Sequence, residues 1–314
     1  MKAAEIERCF ADYSRISSAN KAKFEKLSAV LSQMQKEGID CILLKGADLI
    51  PRLYAVLGMR PLGDADLLVH ESDLPAIDRL LTRSGYSPII DGNPAYVDPD
   101  NILDLDIVTK VWYVDEPDVI WQRAVQRQVH GISVKGLGSD DLLIYLIAYS
   151  VIHRGYLSAA FVQDVRLLVE RERLDWAFIV EEASRRHIRA PLYHGLSYVS
   201  RHAGVPVPDH ILSRLTPSGI AETLLYFLLR KLVTDRPVAE LGHLLLFLTR
   251  PGPAQKVRWL SGAVFPPPAF LTYRYGERWN AHPLATRLCR PFALTSQAVR
   301  LSLRILGRLL ERPT

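Results

Sequence analysis

The stretch ILLKGADLIPRLYAVLGMRPLGDADLLV, residues 42–69, decides the fold. Its first residues belong to a short apolar run, Ile39 to Leu44, which is typical of a buried strand and is followed at once by Lys45-Gly46. A helix-like segment, Ala47 to Leu57, comes next, and Gly58 ends it. Residues 64–69 alternate and then become apolar, as a second strand does. Strand, turn, helix and strand in this order predict an α/β (α+β) core built on a mixed sheet.

Two pairs of aspartates share the same spacing on predicted strands. Asp64 and Asp66 stand at i and i+2, so both side chains point to one face of the strand. Asp104 and Asp106 repeat that spacing on the strand predicted over 102–108. Carboxylates held close together repel unless a cation lies between them, and oxygen ligands favour Mg²⁺ or Mn²⁺. If the strands are neighbours, three or four carboxylates form a metal site; otherwise the aspartates are a solvated strand edge.

Three further residues favour phosphate binding. Gly46 allows close backbone approach at a strand-to-helix turn, where the helix N-terminus offers free N–H groups. Lys45 adds a positive charge, and Arg60 can grip a phosphate with two parallel hydrogen bonds. The alternatives are a surface charge for Lys45 and an ion pair with a nearby aspartate for Arg60.

These residues resemble the polymerase-β-like nucleotidyltransferase superfamily. The motifs L-L-K-G, G-x-R and D-x-D-L-L-V are similar to those of its uncharacterised bacterial nucleotidyltransferase family. The resemblance covers roughly residues 40 to 180. That branch often lies beside peptide-modification genes, such as those for lasso peptides. The resemblance implies a nucleoside triphosphate donor, most simply ATP, with Asp64 and Asp66 as the first metal-binding pair and Asp104 as the third carboxylate. Asp106 stands where the branch often has histidine, and Lys45-Gly46-Ala47 replaces the superfamily's Gly-Ser turn.

The chain turns helical after Ser139 and stays so. We expect N-terminal helices over 1–38, a nucleotidyltransferase core over 39–137, a helical domain over 138–204 and a larger C-terminal helical region over 205–314. His153 and Asp164 match a histidine and an aspartate of the resembled family. Both are candidates to touch substrate. The alternative for His153 is a helix-end histidine bonded to a backbone carbonyl, and the alternative for Asp164 is an ion pair with an arginine.

Composition excludes several classes of protein. With 314 residues, 48% hydrophobic and 23% charged, the chain is not a disordered, collagen-like or coiled-coil sequence. Three scattered cysteines fit neither a zinc site nor a disulfide framework, which favours a reducing compartment. The charged N-terminus predicts no secretory signal, and no apolar stretch predicts a transmembrane helix. We therefore expect a cytoplasmic protein.

The positive charge is concentrated at the C-terminus. Residues 271–314 hold eight arginines against two glutamates, whereas the whole chain has a net charge of +5. Within them, Ser296 to Leu310 predicts a basic amphipathic helix whose apolar stripe is Val299, Leu303, Leu306 and Leu310. Such a helix can lie on an anionic membrane, contact nucleic acid or bind an acidic peptide. We expect instead that the stripe packs on its own domain.

The expected activity is metal-assisted transfer of a nucleotidyl group from a nucleoside triphosphate to an acceptor hydroxyl, on a peptide or a small molecule. Two alternatives stay open: a phosphotransferase that tailors a peptide on the same fold, and an inactive nucleotide-binding or partner protein. A nucleic-acid acceptor is disfavoured, because aromatic and basic residues are not interleaved along the chain.

Overall fold

The computed structural model describes residues 3–91, 93–250, 252–275 and 282–310. The chain divides into two compact units, Met1–Leu142 and Leu143–Thr314. The four-segment division expected from the sequence stays a prediction. Of the eight arginines in the basic C-terminal segment, Arg278 and Arg312 lie outside the described residues.

A mixed sheet forms the centre of the first unit. In the described chain its strands are β1 (Cys41–Leu44), β2 (Ala65–Val69), β3 (Ser87–Asp91), β4 (Asn93–Val97), β5 (Leu105–Val108), β6 (Val125–Val129) and β7 (Ile132–Gly136). Their order across the sheet is β3-β4-β5-β2-β1-β7-β6. The mixed α+β architecture expected from the sequence is confirmed. Two of the strands, β4 and β6, were not predicted by the apolar pattern.

The three central strands bring the predicted site residues together. β1 and β2 are antiparallel, with Leu44 opposite Asp66, and both strands are buried along their whole length. β5 runs parallel to β2 on its other side, with Asp106 opposite Asp66. β1 also pairs in parallel with β7. The two strands that carry the aspartate pairs are therefore neighbours.

Four helices accompany the sheet in the first unit: α1 (Ala3–Lys36), α2 (Lys45–Leu53), α3 (Leu74–Arg83) and α4 (Pro117–Arg123). The apolar pattern of residues 3–37 is typical of two helices, and that interpretation is wrong, because α1 is continuous. No glycine or proline interrupts residues 3–37, so the backbone hydrogen bonds run through. Phe24, Leu27 and Leu31 bury one face of α1 in the core.

The second unit is helical. After α5 (Ser139–Ala148), which runs across the division, a π-helical turn covers Tyr149–Arg154. The remaining helices are α6 (Ala159–Arg171), α7 (Trp176–Arg185), α8 (Arg189–Ala203), α9 (Asp209–Leu215), α10 (Gly219–Leu232), α11 (Leu241–Leu248), α12 (Gly252–Val264), α13 (Pro268–Tyr275) and α14 (Pro283–Leu310). Gly242 lies so close to the His153 carbonyl that any side chain there would collide with it.

The C-terminal helix packs by a different face from the one predicted. Val299, Leu303, Leu306 and Leu310 are each more than half exposed, so the expectation that this stripe packs on its own domain is wrong. The helix instead turns its other side inward. There Arg290 donates to the Ala263 carbonyl and Arg308 donates to the Thr234 hydroxyl. A guanidinium group that donates to carbonyl and hydroxyl oxygens loses little free energy when it lies against a protein surface. The arginine side of the helix can therefore pack inward, and the apolar stripe then faces outward.

Candidate active site

Lys45 and Asp66 are joined at the centre of the sheet. Lys45 is the first residue of α2, and its Nζ donates to Oδ1 of Asp66 at 2.6 Å. Asp66 is only 4% exposed, so this ion pair is largely removed from water. The Lys45 backbone has a φ of 47°, which is unfavourable for a residue with a side chain. Strain of this kind is found at functional sites.

Two further carboxylates act on Asp66. Its pKa is raised to about 6, first by burial, and also by repulsion from Asp64 and Asp106, while the Lys45 ammonium opposes the rise. Asp106 lies directly opposite Asp66 on the parallel neighbour β5, and Asp64 precedes β2 by one residue. Asp64, Asp66 and Asp106 are therefore the acidic residues that face one another here.

Asp104 makes a different contact from the one its spacing predicted. Its Oδ1 accepts a hydrogen bond from the backbone N–H of Asp98 at 2.9 Å. Asp104 lies one residue before β5, as Asp64 lies one residue before β2, but the Asp104 carboxylate is bonded to the backbone of Asp98. The geometry favours Asp106 over Asp104 as the third carboxylate beside Asp64 and Asp66.

The fit to a metal ion rests on donor chemistry. In the described ranges no three acidic, histidine or cysteine side chains are arranged as ligands of one ion. A ready-made cluster of three or four carboxylates, as the sequence suggested, is thus not assembled, because Lys45 pairs with Asp66 and Asp104 bonds to Asp98. Asp64, Asp66 and Asp106 nonetheless offer only oxygen atoms, the donors that Mg²⁺ and Mn²⁺ prefer.

Gly46 brings the Arg60 side chain to the turn. A Cβ at position 46 would lie 2.7 Å from Nη1 of Arg60 and 2.9 Å from Cδ1 of Leu62. A side chain at this position would require the ends of both neighbouring side chains to shift. The predicted phosphate-binding residues Lys45, Gly46 and Arg60 are therefore next to one another, and Asp66 is joined to them through Lys45.

Helix α1 holds the loop that carries Arg60, which sequence reasoning missed. Asn20 is 1% exposed, and its side-chain N–H₂ donates to the carbonyls of Leu57 and Arg60, each at 2.7 Å. Its Oδ1 accepts from the Leu62 N–H at 2.9 Å. Lys23 donates to the carbonyls of Leu62 and Gly63. The sequence signal that could have identified Asn20 is its position in the apolar stripe of the helix, four residues before Phe24.

A second missed residue organises the loop before β5. The buried carboxylate of Asp98 accepts hydrogen bonds from the N–H groups of Asp100, Ile102 and Leu103. Its Oδ1 lies 2.9 Å from Nζ of Lys26 on α1. Helix α1 thus stabilises the two loops that lead into β2 and β5.

His153 and Asp164 lie in the second unit. His153 is exposed and stacks on Tyr149 within the π-helical turn, with ring centroids 5.1 Å apart. Asp164 is buried on α6. Their part in the reaction stays a prediction.

A protein family and solved structures are similar to this chain. The sequence profile of a family described as uncharacterised nucleotidyltransferase matches residues 4–204. No curated protein sequence matches the chain significantly. One similar solved structure is an antigenic nucleotidyltransferase-like protein from Paracoccidioides brasiliensis, at 15% identity and a TM-score of 0.43, covering 62% of this chain and 92% of that one. Another is the antibiotic-resistance factor ANT(2'')-Ia, at 14% identity and a TM-score of 0.41, covering 60% of this chain and 96% of that one. Because the profile spans well over half of its length, this chain belongs to the uncharacterised nucleotidyltransferase family and is an enzyme of the nucleotidyltransferase class.

Proposed function

We propose that the protein transfers a nucleotidyl group from a nucleoside triphosphate, with ATP as donor, to a hydroxyl group in a reaction that requires Mg²⁺ or Mn²⁺. The observation that carries this proposal is the register of two parallel strands. Asp66 on β2 lies opposite Asp106 on β5, and Asp64 is the other negative neighbour of Asp66. Lys45, Gly46 and Arg60 supply the phosphate-binding side.

Asp64, Asp66 and Asp106 would hold the metal, which supplies charge neutralisation of the triphosphate when bound. The chain's own residues position the nucleotide. Lys45 and Arg60 bind phosphate oxygens, and the N-terminal N–H groups of α2 face the same anion. Asp106, the less buried of the two facing carboxylates, accepts the proton of the acceptor hydroxyl.

The reaction exchanges one phosphorus–oxygen bond for another. The acceptor oxygen forms a bond to the α-phosphorus, the bond from that phosphorus to the bridging oxygen breaks, and pyrophosphate leaves. Most of the acceleration comes from positioning and charge neutralisation. We propose a peptide or small-molecule acceptor in a bacterial cytoplasm, because the sequence resembles a bacterial branch that lies beside peptide-modification genes.

The fate of the label tests the proposal. The enzyme is incubated with Mg²⁺, a panel of hydroxyl-bearing peptides and small molecules, and ATP labelled at either the α- or the γ-phosphate. We expect α-label in the acceptor and release of pyrophosphate. Transfer of γ-label alone would show the phosphotransferase alternative. Nucleotide binding that needs no metal and is unchanged in Asp66→Asn would show an inactive binding protein.

A further inference from the structure

The outward face of α14 is apolar along most of the helix. Its exposed large apolar residues are Leu284, Leu288, Phe292, Val299, Leu303, Leu306 and Leu310, with exposed fractions from 53% to 78%. The spacing of three, four or seven places them on one side of the helix. Thr286 and Arg290 are buried on the opposite side. A long apolar stripe that faces water marks a contact surface, since a folded chain ordinarily buries such a stripe.

Two neighbouring helices also expose apolar residues. Helices α10 and α12 both contact α14. On α10, Ile220 and Leu224 are 82% and 60% exposed, and on α12, Val257 and Leu260 are 64% and 46% exposed. We name the exposed apolar residues of α10, α12 and α14 the apolar surface. It lies wholly within the second unit.

The charged residues of the helices that form the apolar surface are mainly basic, and α10 contributes Arg230 and Lys231 against Glu222. Helices α12, α13 and α14 contain eight basic residues and no aspartate or glutamate. Arg300 and Arg287 are exposed and lie at the two borders of the α14 stripe, roughly 60° beyond its edges on a helix of 3.6 residues per turn. Arginines at the borders of an apolar stripe are the arrangement by which a helix lies in the headgroup region of an anionic bilayer.

We propose that the apolar surface binds the surface of an anionic phospholipid bilayer, with α14 lying in the plane of the headgroups. Among the described residues no helix is long and apolar enough to cross a membrane, so contact is with one leaflet. A second copy of the chain fits less well, because it would bring together two copies of α14 whose exposed charged side chains, such as Arg287 and Arg300, are all arginines. Nucleic acid would bind the arginines and leave the leucines in water.

Co-sedimentation of the full-length protein with vesicles tests this surface. One set is phosphatidylcholine alone, and the other contains one third phosphatidylglycerol. We expect binding to the anionic vesicles to be stronger by about tenfold or more, and to weaken as salt is raised. Leu303→Ser combined with Leu306→Ser should lower that binding by at least about tenfold, because both side chains would enter the membrane.

Two controls distinguish binding by the apolar surface from nonspecific hydrophobic binding, and loss of that surface from unfolding of the variant. Phe10→Ser removes an exposed aromatic residue from α1 in the first unit and should leave vesicle binding unchanged. The melting temperature of the double leucine variant should match that of the wild type, since both leucines are exposed in the folded chain. Equal binding to the two kinds of vesicle, or none, would overturn the proposal. So would a concentration-dependent dimer that the leucine variant abolishes, because the surface would then belong to a second copy.

Discussion

Lys45 Nζ and Asp66 Oδ1 lie 2.6 Å apart, which joins the start of α2 to the middle strand of the sheet. The ammonium is the cation that makes a buried aspartate tolerable beside Asp64 and Asp106. The same residue has the left-handed backbone of a tight turn. Lys45 therefore has two roles. It neutralises Asp66 in the free protein, and in the proposed reaction it binds the phosphates.

The Asn20 side chain should be the main support of the Arg60 loop. Asn20→Ala leaves two carbonyls and one N–H near the protein interior without their partner. We expect a loss of about 2–4 kcal/mol in the free energy of unfolding, measured by urea denaturation. Gln35→Ala, at an exposed position on the same helix, should change it by less than about 0.5 kcal/mol. Equal effects from the two substitutions would contradict the assigned role.

Gly46→Ala should separate nucleotide binding from stability. The added methyl group must displace the Arg60 guanidinium and Leu62, at a cost of about 1–2 kcal/mol in unfolding free energy. We expect the affinity for nucleoside triphosphate to fall about tenfold, as measured by calorimetric titration. Gly63→Ala is the matched control, because nothing lies within 4 Å of its added Cβ. Unchanged affinity in Gly46→Ala would show that Arg60 does not bind the nucleotide.

The three cysteines should differ sharply in reactivity. Cys9 and Cys289 are exposed, whereas Cys41 is buried in β1, and burial raises its pKa to about 12. A thiol reagent should therefore modify two of the three thiols in the native protein and the third only after denaturation. Cys289→Ser should reduce the native count to one. Rapid modification of Cys41 would contradict the buried central position of β1.

His194 should make stability depend on pH. Burial lowers its pKa to about 4, and its Nε2 lies 2.7 Å from the Val233 carbonyl oxygen. The unfolded chain takes up a proton near pH 6.5, but the folded chain does so only near 4. The contribution of His194 to the free energy of unfolding is therefore complete above pH 6.5. It falls by about 3 kcal/mol as the pH drops to 4.

Denaturant titrations across that window check the His194 prediction. His194→Gln should flatten the fall, because glutamine takes up no proton. His202→Gln, at an exposed position on α8, controls for the loss of a histidine as such. A wild-type slope retained in His194→Gln would assign the pH dependence to other groups.

The central strands could be predicted from the sequence because β1 is an unbroken apolar run, and β2 and β5 are apolar apart from one aspartate each. β4 and β6 could not, because Asn93–Val97 contains a proline and Val125–Val129 has three polar residues in five. Their strand state comes from pairing with β3, β5 and β7. Sheet context overrides a weak local preference in such segments.

The candidate residues of the site could be predicted from the sequence, but their contacts with one another could not. Lys45, Gly46, Arg60 and the two aspartate pairs were identified from spacing alone. Which member of the second pair faces Asp66 depends on the register of β2 and β5 and on the Asp104–Asp98 hydrogen bond, and spacing shows neither. The Asn20 contacts join residues about 40 apart, so no local pattern reveals them. Only the packed structure shows which face of helix α14 is left outside.

The central claim is that Asp66 and Asp106, rather than Asp104, form the carboxylate pair that binds the nucleotide with its metal. Calorimetric titration of wild type and three isosteric variants with a non-hydrolysable triphosphate in Mn²⁺ tests it directly. We predict that Asp66→Asn and Asp106→Asn each lower the affinity at least about tenfold. Asp104→Asn should bind like wild type, because the asparagine oxygen can still accept from the Asp98 N–H. A loss in Asp104→Asn with unchanged binding in Asp106→Asn would contradict the account.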